Sequence, residues 1–281
     1  MRPIFKDPAL QIEFEDKGYV IVDFLSPDEV SALAQAYTKL DGQPKQAGFS
    51  TSNMSPDVSY RREASKLVIQ AFEQAVDHYF DRCKQFMGIF TSKQPNQAAS
   101  TCSMHQDPSL VDEEKFHSMT IWVPLVDTCE HNGALQVIDR SQLLNPHPRA
   151  TFVHFPYRDL VPLFCEKHFK TVEIKAGQAY LGSSKVFHWS PPNYSDQERV
   201  AALAWLAEEE SQLRCYYQNF RQPGERLEVF EVVPEYYIEA PLFSRPDETT
   251  AKKIGEVPYH FEPLDEAKIA RLLQLTPEMA H

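Results

Sequence analysis

The chain has 281 residues, 42% of them hydrophobic, and a formal charge of −12. That apolar content supplies one large domain rather than two, and the acidic excess disfavours phosphate backbones and anionic membranes as partners. The five cysteines are an odd number without close pairing. The amino terminus lacks the apolar stretch of a signal peptide, and no apolar run approaches the roughly 18 residues of a membrane span. Together these predict a soluble cytoplasmic protein in which Cys83, Cys102, Cys129, Cys165 and Cys215 are ordinary buried thiols.

In chain order, Gly18 to Phe24 is rich in β-branched and aromatic residues and predicts a short strand. Ser26-Pro27-Asp28-Glu29 is a capping box with proline at the first helical position, and Val30, Leu33, Ala34, Tyr37 and Leu40 then share a helical face, predicting a helix over 27–40. Residues 41–58 hold Gly42, Pro44, Gly48 and Pro56 and predict a loop long enough to cover a site. Leu67, Ala71, Ala75, Tyr79 and Cys83 repeat at fours and predict a helix over about 60–86 that Gly88 stops. Helix, strand and helix would therefore precede a barrel.

From about 95 to 207, short β-rich runs alternate with turns, interrupted by a helical insertion at Tyr157–Phe164. This is a jelly-roll pattern. The fold class expected is mainly β with flanking helices around a double-stranded β-helix core. The chain divides into a helical part of about 1–90, a core of about 91–207 and an extension of about 208–281, all in one domain. The extension carries Tyr216, Tyr217, Tyr236 and Tyr237, several glutamates and a terminal helix expected over Leu264–Leu275.

The chemistry concentrates in His105-Gln106-Asp107, with His188 and Arg199 downstream. Side chains two apart on a strand share a face, so His105 and Asp107 would project together, their backbones roughly 6.6 Å apart. Gln106 would face the other way in a structural role. With His188 from a distant strand, two imidazoles and a carboxylate make the ligand set of non-haem Fe(II) oxygenases. A His-x-Asp pair alone is weak, and core histidines beside an unrelated aspartate are the plain alternative. Arg199 opens a strand so apolar that both faces are expected to be buried, where a cation needs an anion beside it, whether an internal acid or a ligand. Pro191, Pro192 and Asn193 would turn the chain so that His188 and Arg199 lie on neighbouring antiparallel strands.

The surroundings extend the pattern: the run Met119–Leu125 containing Trp122, then Asn132-Gly133-Ala134-Leu135, Gly177-Gln178, His188-Trp189-Ser190, and Arg199 eleven residues past His188. In these five elements, in this order, residues 10–207 resemble the phytanoyl-CoA dioxygenase family. Two departures are Arg140-Ser141-Gln142 where relatives carry Gly-Ser-His, and Gly177-Gln178 for the usual Gly-Asp turn. Neither position is a ligand in the family.

The resemblance implies an Fe(II)- and 2-oxoglutarate-dependent dioxygenase that uses O2 as a second cosubstrate. It places iron on His105, Asp107 and His188, the distal carboxylate of 2-oxoglutarate on Arg199, and Ser190 and Trp122 beside that cosubstrate. It implies hydroxylation of an unactivated C–H bond of a small molecule, a natural-product or lipid-like metabolite, with release of succinate and CO2. Halogenation is disfavoured, because halogenating relatives carry a small residue where Asp107 stands. Desaturation, cyclisation and peroxide formation use the same ligands and stay open. So does a jelly-roll protein that binds without catalysis; a zinc hydrolase on the same ligands leaves Arg199 unexplained. His117, His131, His147, His154, His168 and His260 lack comparable company and stay outside the metal site. The tyrosine-rich extension is a candidate lining for a hydrophobic or cationic substrate.

Overall fold

The computed structural model describes residues 1–40, 47–150, 155–219, 221, 224–240 and 244–274. Strands β1 (Tyr19–Asp23), β2 (Phe49–Thr51), β3 (Cys83–Lys93), β5 (Ser118–Pro124), β8 (Gln178–Ser183) and β10 (Arg199–Glu208) build a six-stranded antiparallel sheet in the order β1-β8-β5-β10-β3-β2. Strands β4 (Cys102–His105), β6 (Leu135–Val137), β7 (Lys170–Val172) and β9 (His188–Ser190) build a four-stranded sheet in the order β4-β9-β6-β7. Trp122, Tyr180 and Ala201 of the larger sheet pack against Leu135 and Val137 of the smaller. These two antiparallel sheets are the jelly roll.

Helices α1 (Pro8–Lys17), α2 (Pro27–Lys39) and α3 (Val58–Tyr79) cover the outer face of the larger sheet, where Leu33, Val68 and Phe72 meet Val20, Ile121, Ala202 and Ala204. The capping box of α2 forms as expected, with the Glu29 carboxylate accepting from the Ser26 backbone and the Ser26 hydroxyl from Glu29 N–H. Helix α4 (Val161–Lys167) is the insertion read at Tyr157–Phe164. The extension forms a separate sheet of β11 (Arg214–Tyr217), β12 (Arg226–Glu231) and β13 (Lys252–Pro258), with helices α5 (Pro234–Glu239) and α6 (Glu266–Gln274). Residue 275, the expected end of the last helix, lies outside the described residues.

Four expectations change. Helix α3 ends at Tyr79, not 86, and β3 follows from Cys83. Gly88 is no helix stop: it sits in β3 where a Cβ would lie 2.7 Å from Val68 Cβ and 2.9 Å from the Ser65 carbonyl, so glycine is what lets α3 lie on the sheet. The segment 49–54, read as loop, forms β2 and one 3₁₀ turn, while 41–46 lie outside the described residues. β1 does not precede the barrel but forms an edge of its larger sheet, paired to β8. Finally, the cysteines are not uniformly buried: Cys215 is, Cys83 and Cys102 are half-buried, and Cys129 and Cys165 are exposed. None of the five is in a disulfide.

Candidate metal centre and cosubstrate site

His105 and His188 face each other as register partners across β4 and β9, their ring centroids 4.2 Å apart. β4 ends at His105, so Asp107 lies just past the strand rather than on it, yet its Oδ1 sits 3.8 Å from His105 Nε2 and 4.0 Å from His188 Nε2. One donor atom from each of the three falls within 4.8 Å of the others.

The local backbone prepares each ligand. His105 Nδ1 lies 2.7 Å from the Ser103 carbonyl and His188 Nδ1 3.0 Å from the Val186 carbonyl. A carbonyl only accepts, so each Nδ1 carries the proton and each Nε2 lone pair is left for a metal. The Thr120 hydroxyl donates to Asp107 Oδ2, leaving Oδ1 for the ion. Burial and the neighbouring His188 push His105 down to about 4, which keeps its ring neutral at physiological pH. Such a donor set fits a borderline divalent ion with open positions.

Gln106 faces away as expected. Its amide donates to the Asn145 and Lys185 carbonyls, pinning the chain between His105 and Asp107. Asp107 is held from behind by Arg149, whose Nε donates to the Asp107 carbonyl at 2.7 Å and whose Nη2 pairs with the buried Glu113 carboxylate at 2.7 Å.

Arg199 is 2% exposed and its guanidinium lies 5.4 Å from the Trp122 ring centroid, so the two residues form one wall. Its Nε and Nη1 have no hydrogen-bond partner among the described residues. The register partner of Arg199 is Lys93, fully buried, whose ammonium donates to the carbonyls of Ser100, Ser190 and Pro191 at 2.6, 3.0 and 2.6 Å. Burial, then the Arg199 charge, pushes Lys93 down to about 7, and burial brings Arg199 down to about 10. Among the described residues no carboxylate pairs with either cation; the adjacent Glu198 accepts instead from Tyr37 and Gln94. A buried guanidinium with unpartnered N–H groups and no acid beside it among the described residues calls for an anion from outside.

His188 and Arg199 do not occupy neighbouring strands: β9 belongs to the smaller sheet and β10 to the larger. The Pro191-Pro192-Asn193 corner carries the chain from one sheet to the other, so the cation and the ligands come from facing sheets. Ser190 is buried at the end of β9, opposite Cys102, with its carbonyl taken by Lys93. Lys93, Thr120 and Arg149 were missed in the sequence.

The family model described as phytanoyl-CoA dioxygenase matches residues 14–201. No curated protein matches the chain. Among solved structures, the carbocyclase SnoK, described as non-haem and α-ketoglutarate-dependent from nogalamycin biosynthesis, is 17% identical with a TM-score of 0.56, over 78% of this chain and 92% of its own. The epimerase SnoN, in complex with Fe3+, α-ketoglutarate and nogalamycin RO, is 20% identical with a TM-score of 0.52, over 74% and 87%. EvdO2 from Micromonospora carbonacea var. aurantiaca, complexed with 2-oxoglutarate, is 18% identical with a TM-score of 0.50, over 72% and 91%. At these identities the likeness is one of fold.

Proposed function

The chain belongs to the phytanoyl-CoA dioxygenase family of Fe(II)- and 2-oxoglutarate-dependent oxygenases, and from that membership we propose that His105, Asp107 and His188 hold its iron while Arg199 holds its cosubstrate. The observation that carries this is the unpaired guanidinium: two buried N–H groups of Arg199 have nothing to donate to among the described residues, on the wall formed with Trp122. A planar guanidinium with several fixed N–H donors suits a carboxylate in a way that a lysine would not reproduce. The reaction proposed is hydroxylation of an unactivated C–H bond in a small molecule.

When bound, Fe(II) with 2-oxoglutarate and O2 supplies the oxidising power, and succinate and CO2 leave. The protein positions and shields. His105 and His188 present Nε2 because backbone carbonyls hold Nδ1, and Thr120 turns one Asp107 oxygen away from the ion. Arg199 would hold the far carboxylate with Trp122 and Ser190 beside it, and the apolar cluster of Trp122, Leu135, Val137 and Tyr180 packs between the two sheets next to that wall. The same proposal treats the chain as one catalytic domain acting in the cytoplasm, where cysteines outside disulfides are at home. No helix among the described residues is long and apolar enough to cross a membrane.

The test is iron content and 2-oxoglutarate turnover in His105→Ala and His188→Ala. Each substitution is expected to lower bound iron from one equivalent and to abolish succinate formation; iron unchanged in both would refute the assignment. A binding protein without catalysis is distinguished by anaerobic Fe(II) samples, whose visible spectrum 2-oxoglutarate should alter in the wild type and leave unaltered in Arg199→Ala.

A further inference from the structure

His147 and His260 do not stand alone. With Glu262 they bring one donor atom each within 4.8 Å of one another. The rings meet edge to face at 5.5 Å between centroids, and His260 Nε2 lies 3.0 Å from Glu262 Oε1. Two ligands on one tetrahedral ion with bonds near 2.0–2.1 Å sit about 3.3 Å apart, so that pair already has the spacing of a chelate. We propose that His147, His260 and Glu262 form a second metal site, separate from the iron triad, for a borderline divalent ion of the zinc type, with water completing its shell.

Both sides of the site are pre-set, which lowers the ordering cost of binding. His147 precedes Pro148, which steers its backbone away from the helical region, and Pro146 before it has a fixed φ of its own. Beyond it, Ala150 packs with Tyr259 in one apolar cluster. Tyr259 and Phe261, either side of His260, meet at 4.6 Å, and Phe261 reaches Tyr157, whose hydroxyl donates to the Glu262 carbonyl. Lys268 approaches Glu262 through Oε2 at 3.6 Å, which leaves Oε1 for the ion.

The donor chemistry selects the metal. Two imidazoles and one carboxylate suit zinc, nickel, cobalt or copper, and disfavour magnesium and calcium, which want oxygen. Arg149 donates to the His147 carbonyl and to the Asp107 carbonyl. An ion here would therefore clamp the C-terminal extension onto the loop that supports the iron carboxylate.

The experiment titrates Zn2+ into the full, metal-free chain lacking a histidine tag, in competition with a chromophoric chelator. The wild type should take two equivalents, and His147→Ala/His260→Ala and His105→Ala/His188→Ala one each. In the second background Glu262→Gln should weaken the remaining site by at least about tenfold, as loss of a ligand would. Equal stoichiometry in the wild type and in His147→Ala/His260→Ala overturns the second site whatever the triad does. Two equivalents surviving in His105→Ala/His188→Ala would instead overturn the triad, and this site would then stand only if adding Glu262→Gln weakened one of them. All three second-site residues are exposed or half-buried, so these variants should fold.

Discussion

The two ends of the proposed catalytic slot are built on opposite principles. At the metal end, neutral rings and a carboxylate are fixed by short-range backbone contacts, with Ser103 and Val186 each two residues from the imidazole they orient. At the other end, Lys93 and Arg199 are deeply buried and unpaired with any acid among the described residues, and one long-range fit, the Lys93 amine on three carbonyls, ties β3 to the segments flanking β4 and β9. The contrast teaches that the two histidine rings are oriented locally, whereas the placement of the triad relative to Arg199 is set by the packing of two sheets.

The largest expected effect lies behind the metal end. Arg149→Met should cost about 3–5 kcal/mol by leaving Glu113 buried without its partner, read as a lowered denaturation midpoint. Pairing it with Glu113→Leu should recover most of that loss. If Arg149→Met unfolds no earlier than the wild type, the support of Asp107 does not run through this ion pair.

At the cation end, Arg199→Ala should raise KM for 2-oxoglutarate by roughly ten- to hundredfold, the worth of hydrogen bonds to a charged group, with bound iron unchanged. Arg199→Lys should recover little of it. A simultaneous loss of iron would mean that the two ends are not separable as described.

The corner itself is probed by Gly133→Ala. Gly133 has φ of +78°, and an added Cβ would fall 2.5 Å from the Pro191 carbonyl and 3.1 Å from Lys93 Cδ. Displacing the carbonyl that Lys93 grips should cost about 1–3 kcal/mol and raise KM for 2-oxoglutarate while sparing iron.

The smallest effect is on pH dependence. With its folded pKa lowered to about 7, Lys93 is charged below that pH and neutral above it. An incoming dianion favours the charged form, so 2-oxoglutarate affinity should be full below about pH 7 and fall above it by at most about tenfold per unit. Lys93→Met should flatten the profile. Between pH 7 and the ordinary lysine value the unfolded chain binds more protons, so the contribution of Lys93 to stability should rise with pH over that window.

The His-x-Asp spacing drew attention to His105 and Asp107, and the resemblance to the family joined them to His188 and Arg199, although β4 ends at His105 and Asp107 lies beyond the strand on which the period of two was argued. Local pattern also gave the α2 capping box and the insertion at α4. The α3 boundary was not legible: Cys83 continues the four-residue repeat but already lies in β3. Nor was the sheet change at Pro191-Pro192-Asn193, since a turn of this composition serves a hairpin or a corner equally well.

Lys93 in a sequence resembles any solvent-facing lysine, and nothing near His147 points to His260. Such residues acquire their character only from partners far away in the chain. The amino-acid sequence by itself determined the order of the His-x-Asp pair, the second histidine and the arginine, and the apolar strand that the arginine opens, because motif spacing and hydrophobic runs are local. Only the tertiary structure decided which charges lie together without an acid, which carbonyls cradle the ammonium, and which histidines meet, because burial and register arise when the two sheets and the C-terminal extension close on one another.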